Sequence, residues 1–154
     1  MTNLAIFAAG CFWGIEEKFL SQPGVLDTEV GYIGGITKNP NYQDVCSGNT
    51  EHAEAVRVKF DSQTVSYENL LKLFFEIHDP TTLNRQGPDI GTQYRSEIFC
   101  LDNDQYMIAD MFKRNLNNDK FNGNIVTSIS MAGTFWIAEE YHQKYIRKKK
   151  NMIL

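Results

Sequence analysis

The sequence predicts a single compact α+β domain over residues 1–154, a mixed sheet with helices packed on it. Three patterns lead there. Residues 53–60 alternate, with Ala53, Ala55, Arg57 and Lys59 set against Glu54, Val56, Val58 and Phe60, which is the period of a half-buried strand. Residues 66–78 place Leu70, Leu71, Leu73, Phe74 and Ile77 at helical spacing behind Ser66, a capping residue type. Strand-like and helix-like stretches mix along the chain without a strict βαβ rhythm, which argues against a doubly wound parallel sheet. A chain of 154 residues can bury one real core, and neither a repeat nor a long linker divides this one.

The elements follow in order. Residues 4–9 are short, apolar and closed by Gly10, as a buried strand ending in a tight turn would be. A helix is expected over 13–20, where Trp13, Ile15, Phe19 and Leu20 alternate with Glu16, Glu17 and Lys18 until Pro23 and Gly24 stop it. Residues 25–32 read as a strand. Residues 34–50 hold turn formers (Gly34-Gly35, Asn39-Pro40-Asn41, Ser47-Gly48-Asn49) and are expected to be a long loop that carries function. After the strand at 53–60 and the helix at 66–78, a second functional loop covers 79–94 and a strand covers 96–101. Asp102 then caps a helix over 103–116. A turn-rich link over 117–124, a strand over 125–131 and a last helix from about 138 to 149 complete the domain.

Composition narrows the function. The chain is 42% hydrophobic and 22% charged with a net charge of −4, and its mean hydropathy is −0.37 with a pI near 5.3. That is the balance of a soluble folded protein, with no membrane implied, and it argues against a general nucleic-acid binder. The basic run 147–150 reads as a solvated helix end. The N-terminus lacks a positive leader region and the apolar stretch 4–9 is too short for a signal sequence, so the expected compartment is the cytoplasm. A monomer is expected. Cys11, Cys46 and Cys100 are too few and too scattered for a disulfide framework or a zinc site, so any special cysteine should be a reactive one, and no metal is expected.

Cys11 follows a strand and a glycine turn where a helix begins. Unpaired N–H groups and the positive end of the helix dipole there both favour a thiolate. Phe12 and Trp13 beside it suit a pocket for a small apolar group, and Gly10 and Gly14 on either side imply close backbone approach. Glu54 is a lone carboxylate on the buried face of its strand. Burial raises a carboxyl pKa, which makes Glu54 a candidate acid at neutral pH. The bland alternatives are an inert buried Cys11, core packing for the aromatics and a salt-bridged Glu54. Two other function classes compete. One is a cysteine hydrolase or acyltransferase with His52, His78 or His142 as base, for which no oxyanion-hole signature exists. The other is a binding module in which the aromatics cage a small apolar or cationic group.

The segment Gly10-Cys11-Phe12-Trp13-Gly14 resembles the signature of the A-type peptide methionine sulfoxide reductases. Further segments resemble that family in its order: Gly31-Tyr32-Ile33-Gly34-Gly35, Asn39-Pro40-Asn41-Tyr42, Val45-Cys46-Ser47-Gly48, His52-Ala53-Glu54-Ala55-Val56, His78-Asp79-Pro80 and Gly91-Thr92-Gln93-Tyr94-Arg95-Ser96. Together they span about residues 5–145. The resemblance implies a ferredoxin-like core and reduction of methionine S-sulfoxide, free and in peptides, as antioxidant repair. It implies that the Cys11 thiolate attacks the sulfoxide sulfur while protonated Glu54 hydrogen-bonds and protonates the departing oxygen. Tyr42 and Tyr94 match two tyrosines that hydrogen-bond that oxygen, a task suited to an uncharged phenol. Asp89 matches an aspartate that binds the substrate's backbone amide, and His142 matches a position near the pocket. Phe12 and Trp13 would hold the methyl group.

Turnover would leave Cys11 as a sulfenic acid, which a thiol must resolve. Many family members carry resolving cysteines in a glycine-rich C-terminal tail, whereas residues 148–154 here contain none. Cys46 is one possible resolving thiol, and Cys100 reads as core. The expected route is direct regeneration by an external thiol reductant, thioredoxin or glutathione with glutaredoxin, with no bound cofactor.

Overall fold

The computed structural model describes residues 2–153, the side chains of 152 and 153 excepted. In chain order it forms β1 (Thr2–Ala9), α1 (Phe12–Leu20), β2 (Val25–Ile33), α2 (Tyr42–Cys46), β3 (Ala53–Asp61), α3 (Tyr67–Glu76), β4 (Arg85–Gln86), β5 (Asp89–Ile90), β6 (Ser96–Cys100), α4 (Asn103–Asp119), β7 (Ser128–Met131), β8 (Trp136–Ile137) and α5 (Tyr145–Ile153). The main sheet has the order β7-β6-β1-β3-β2-β8. β3 pairs antiparallel with both β1 and β2, β6 pairs antiparallel with the other side of β1, and β7 runs parallel to β6. The sheet is therefore mixed. Its centre, β6-β1-β3-β2, consists of two split β-α-β units, α1 linking β1 to β2 and α3 linking β3 to β6, which is the expected ferredoxin-like arrangement.

The two-residue period of β3 sorts its side chains as the sequence predicts. Val56, Val58 and Phe60 join Phe7, Phe19, Leu70, Leu71 and Phe74 in the larger core between sheet and helices. Phe7 stacks between α1 and α3, 5.0 Å from Phe19 and 5.3 Å from Phe74, ring centre to ring centre. Ala53 and Ala55 face the other way with Ile6, Ala8, Ile33 and Phe99. Small side chains on that face let extended chain cover it, and Phe135 does so beneath the Arg57 guanidinium, 4.7 Å from the ring centre.

Ser66 and Asp102 cap their helices as expected, accepting from Asn69 N–H at 3.0 Å and Gln105 N–H at 2.8 Å. Several boundaries differ from the sequence reading. The loop at 34–50 contains the one-turn helix α2, capped by Asn41, which accepts from Asp44 N–H at 2.8 Å. The strand expected at 125–131 is only Ser128–Met131, because Val126 N–H is drawn to Pro80 O at 2.8 Å. The loop at 79–94 folds into the β4–β5 hairpin and a 3-10 turn, Thr92–Tyr94.

The largest correction concerns residues 138–149, which do not form one helix. A 3-10 turn, Glu140–His142, and an extended Gln143 precede Lys144, whose φ is +54°, and only then does α5 begin. The Gln143 amide accepts from Val30 N–H at 2.9 Å and donates to Val30 O at 2.9 Å and Ala138 O at 3.0 Å. Lys144 N–H donates to the buried Glu16 at 2.7 Å. Contacts to residues more than a hundred positions away thus replace local helical bonds.

Candidate active site

The end of β1 meets the start of β3. Phe7 pairs with Val56, so Glu54 lies level with Ala9, and it shares the helix-facing side of β3 with Val56 and Val58. From Ala9 the chain turns through Gly10, at φ +100°, to Cys11, the residue that caps α1. This stacking sets Glu54 beneath the helix start, where Phe12 N–H, one of the unpaired donors of the first turn, donates to Glu54 Oε1 at 3.2 Å. Glu54 is 1% exposed and its other oxygen, Oε2, is buried without a partner. Burial pushes its carboxyl up to about 7, against the Phe12 N–H and with the help of the Asp89 charge. The anomaly seen in the sequence is real, and among the described residues no cation pairs with it.

Cys11 departs from its expected thiolate. Burial pushes the thiol up to about 11. The Trp13 N–H acts the other way, while the charges of Glu54, Asp89 and Cys46 add to the rise. Desolvation and nearby negative charge together outweigh the helix terminus. At neutral pH the resting sulfur carries a proton, and the Cys11–Glu54 pair holds between one and two protons.

Tyr94 closes the 3-10 turn before β6. Burial and the charges of Glu54, Cys46, Asp89 and Cys11 push its hydroxyl up to about 12. Tyr42 opens α2, and burial followed by its hydrogen bond to Cys46 raises it further still. Both phenols are therefore neutral donors at neutral pH. Asp89, on the β4–β5 hairpin, lies close enough for its charge to act on Cys11, Glu54 and Tyr94.

An aromatic wall flanks the thiol. The Phe12 ring lies 5.8 Å from Tyr32 and 5.2 Å from His142, and Trp13 stacks on Tyr145 at 3.9 Å. Trp13 Nε1–H donates to His142 Nδ1 at 2.9 Å. An indole only donates, so the proton of a neutral His142 sits on Nε2, which is buried and without a partner. Gly10 does mark a close approach, since a Cβ there would lie 2.8 Å from Gln86 Cγ. Gly14 does not: it is exposed and a Cβ would meet open space, contrary to the sequence reading.

The other candidates separate. His52 is held between Gly35 N–H at 3.0 Å and Thr37 O at 2.7 Å, and His78 between Phe74 O and Ser96 Oγ, the latter at 2.7 Å. His52 is committed to the loop at 34–50 and His78 ties α3 to β6, which takes two of the three bases from the hydrolase reading. Cys46 ends α2, exposed and bonded to the Tyr42 hydroxyl, and Cys100 is fully buried in β6.

Sequence reasoning missed Glu139. Its Oε1 accepts from Tyr32 Oη–H at 2.9 Å and its Oε2 from Tyr42 N–H at 3.0 Å. Neither partner lies within ninety residues of it, so no local pattern announces the contact. Among the described residues no helix is long and apolar enough to cross a membrane.

A buried thiol whose proton the nearby carboxyl helps to hold, walled by aromatics at one end of a ferredoxin-like sheet, is the arrangement of a thiol-dependent enzyme. Known proteins narrow the class. The sequence profile described as peptide methionine sulfoxide reductase matches residues 3–153. The peptide methionine sulfoxide reductase MsrA of Methanoculleus marisnigri is 56% identical over 146 residues, covering 94% of this chain and 89% of its own. Mxr1 from Saccharomyces cerevisiae in reduced form superposes with a TM-score of 0.92 at 36% identity, over 97% of this chain and 86% of that one. Mxr1 in complex with Trx2 superposes at 0.68 and 26% identity, over 94% and 84%. The chain belongs to the peptide methionine sulfoxide reductase family, A type.

Proposed function

We propose that residues 1–154 act as one catalytic unit that reduces the S epimer of methionine sulfoxide, free and in proteins, and so repairs oxidised protein. The observation that carries this reading is Glu54: a buried carboxyl that holds a proton near neutral pH, with one oxygen committed to Phe12 N–H and the other unpartnered. A sulfoxide oxygen that receives a proton as its sulfur is attacked needs such a donor.

The substrate's methyl group rests against Phe12 and Trp13, with His142 holding the Trp13 indole. Asp89 accepts from the substrate's backbone amide, and the neutral hydroxyls of Tyr42 and Tyr94 donate to the sulfoxide oxygen. In the singly protonated pair, with Glu54 ionised, the Cys11 proton moves to Glu54, so that the pair presents a thiolate and a carboxylic acid. The sulfur of Cys11 attacks the sulfoxide sulfur, Glu54 protonates the oxygen, and the oxygen leaves with Cys11 as a sulfenic acid while the substrate becomes a thioether. The enzyme sulfur is oxidised by two electrons and the methionine sulfur is reduced by two.

A thiol then condenses with the sulfenic acid, releasing water. An external thiol is the proposed route. Thioredoxin is the first choice, because Mxr1 forms a complex with Trx2, and glutathione with glutaredoxin is the second. Cys46 at the site's edge is the internal alternative. Loss of turnover in the Cys46→Ser, Cys100→Ser double variant, with single-turnover reduction intact, would replace the external route by an internal one. Three free thiols suit a reducing compartment, the cytoplasm, and a monomer suffices for this site.

The test is single-turnover reduction of separate S and R epimers of a methionine sulfoxide peptide by pre-reduced protein. We expect loss of the S epimer and about one sulfenic acid per chain, with no reduction by Cys11→Ser. Failure of the wild-type protein on both epimers would sink the reading.

A further inference from the structure

Glu139 joins two elements of the site, β2 and α2, with one carboxylate oxygen bonded to each. Tyr32 belongs to β2, and its fully buried ring packs on Phe12. Tyr42 is the first residue of α2, and its N–H is one of the donors that a helix start leaves unpaired. Asn41 satisfies the N–H of Asp44, and Glu139 supplies the acceptor for Tyr42 from the far end of the chain. α2 has five residues, too short to be stable by its own hydrogen bonds, so what anchors its first turn fixes where Tyr42 stands. The carboxylate spans from β2 to the first turn of α2, a helix whose Val45 is buried in the core but whose first N–H takes its acceptor from Glu139.

We infer that Glu139 is a positioning residue for the reduction, holding Tyr42 through its backbone N–H so that the phenol meets the sulfoxide oxygen. This rests on the role proposed above for the Tyr42 hydroxyl. Both oxygens of Glu139 face donors, so the ionised carboxylate fits and an amide does not, since its NH2 would be turned toward a donor. Burial alone would raise the Glu139 carboxyl, but the N–H of Tyr42 and the hydroxyl of Tyr32 outweigh it and keep the group below its usual range, ionised at neutral pH. The segment that carries Glu139 has its own anchors: Gln143 on Val30 and Lys144 on Glu16. Removing the Glu139 charge therefore leaves that segment in place and loosens the first turn of α2, where Tyr42 stands, while Val45 keeps the rest of the helix on the core.

The experiment is a double-mutant cycle in single-turnover reduction of the S-sulfoxide peptide: wild type, Glu139→Gln, Tyr42→Phe and the double variant. We expect Glu139→Gln to slow the wild-type enzyme by about tenfold or more, and the Tyr42→Phe enzyme by less than about twofold, because the effect passes through the phenol. Glu139→Asp, which keeps the charge on a shorter arm, should recover part of the rate. Equal slowing by Glu139→Gln in both backgrounds would overturn the inference, as would no slowing at all. If Glu139→Gln fails to fold, the Tyr32→Phe variant removes one of the two donors alone, and its rate loss must likewise vanish in the Tyr42→Phe background. A silent Tyr42→Phe would remove the phenol from the mechanism and this inference with it. A wild-type enzyme inert on both epimers would instead strike the reaction itself.

Discussion

A carboxyl sealed among apolar groups prefers its proton, and Glu54 lets that preference be measured in both the reaction and the fold. Its ordinary value is 4.5 and its folded value about 7. Below pH 4.5 the folded and unfolded chains are both protonated at this group and it does not affect stability. Between 4.5 and 7 the unfolded chain gives up the proton first, so stability falls as pH rises, by about 3 kcal/mol in all, and it levels off above 7. Glu54→Gln cannot ionise yet keeps an acceptor for Phe12 N–H. It should match the wild type near pH 4 and exceed its stability by up to about that amount at pH 8, read by urea denaturation. The same substitution should lower the single-turnover rate by about 10²–10⁴-fold. The wild-type rate should fall below pH 7, where the pair gains its second proton, and hold from about 7 to about 11, whereas in Glu54→Gln the limb near 7 should be replaced by a rate that climbs toward the Cys11 value of about 11. A wild-type rate flat from pH 5 to 9 would show that the pair does not share the reacting proton.

At the scale of the element, the turn between β1 and α1 decides where the thiol stands. Gly10 has φ +100°, a conformation that side chains resist, and a Cβ there would press on Gln86. Gln86 accepts from Asp79 N–H at 3.0 Å and pairs with Asp89 across the small hairpin. Gly10→Ala should therefore cost about 1–3 kcal/mol of stability and also raise KM for peptide substrates, because Asp89 moves with the hairpin. Thermal melting and steady-state kinetics check the two parts. Lower stability with unchanged KM would separate the hairpin from substrate binding. The short elements were the least legible in the sequence. α2, β4, β5 and β8 are each five residues or fewer, too short for a period to show, whereas the capping residues Ser66 and Asp102 announced α3 and α4 plainly.

At the scale of the molecule, the C-terminal segment is bolted to the first third of the chain. Glu16, 1% exposed in the middle of α1, accepts from Thr28 Oγ1–H at 2.8 Å and from Lys144 N–H at 2.7 Å, with Lys144 Nζ at 3.6 Å. The same segment carries His142 to Trp13 and Glu139 to Tyr42. Glu16→Ala would leave the Thr28 hydroxyl and the Lys144 N–H without their acceptor, while Lys144 Nζ keeps Asp27, so it should cost about 1–3 kcal/mol for each unmet donor and speed hydrogen exchange at amides 138–145 more than elsewhere. Uniform exchange across the chain would mean that the segment is held by its other contacts.

The sequence by itself determined the family, the residues of the candidate site and the larger elements. Cys11, Phe12 and Trp13 sit together in the chain, Glu54 betrays itself by breaking a two-residue alternation, and Leu70 to Ile77 repeat at helical spacing, all within reach of one local window. Tertiary structure decided the rest. Whether Cys11 rests as a thiol or a thiolate depends on burial and on Glu54 and Asp89, which lie more than forty residues away. Glu139 and Gln143 take their places through bonds to Tyr32, Tyr42 and Val30, and those bonds overrule a helical pattern. Local periodicity reports which face of an element is apolar. Desolvation and long-range hydrogen bonds exist only once the sheet has brought distant residues together.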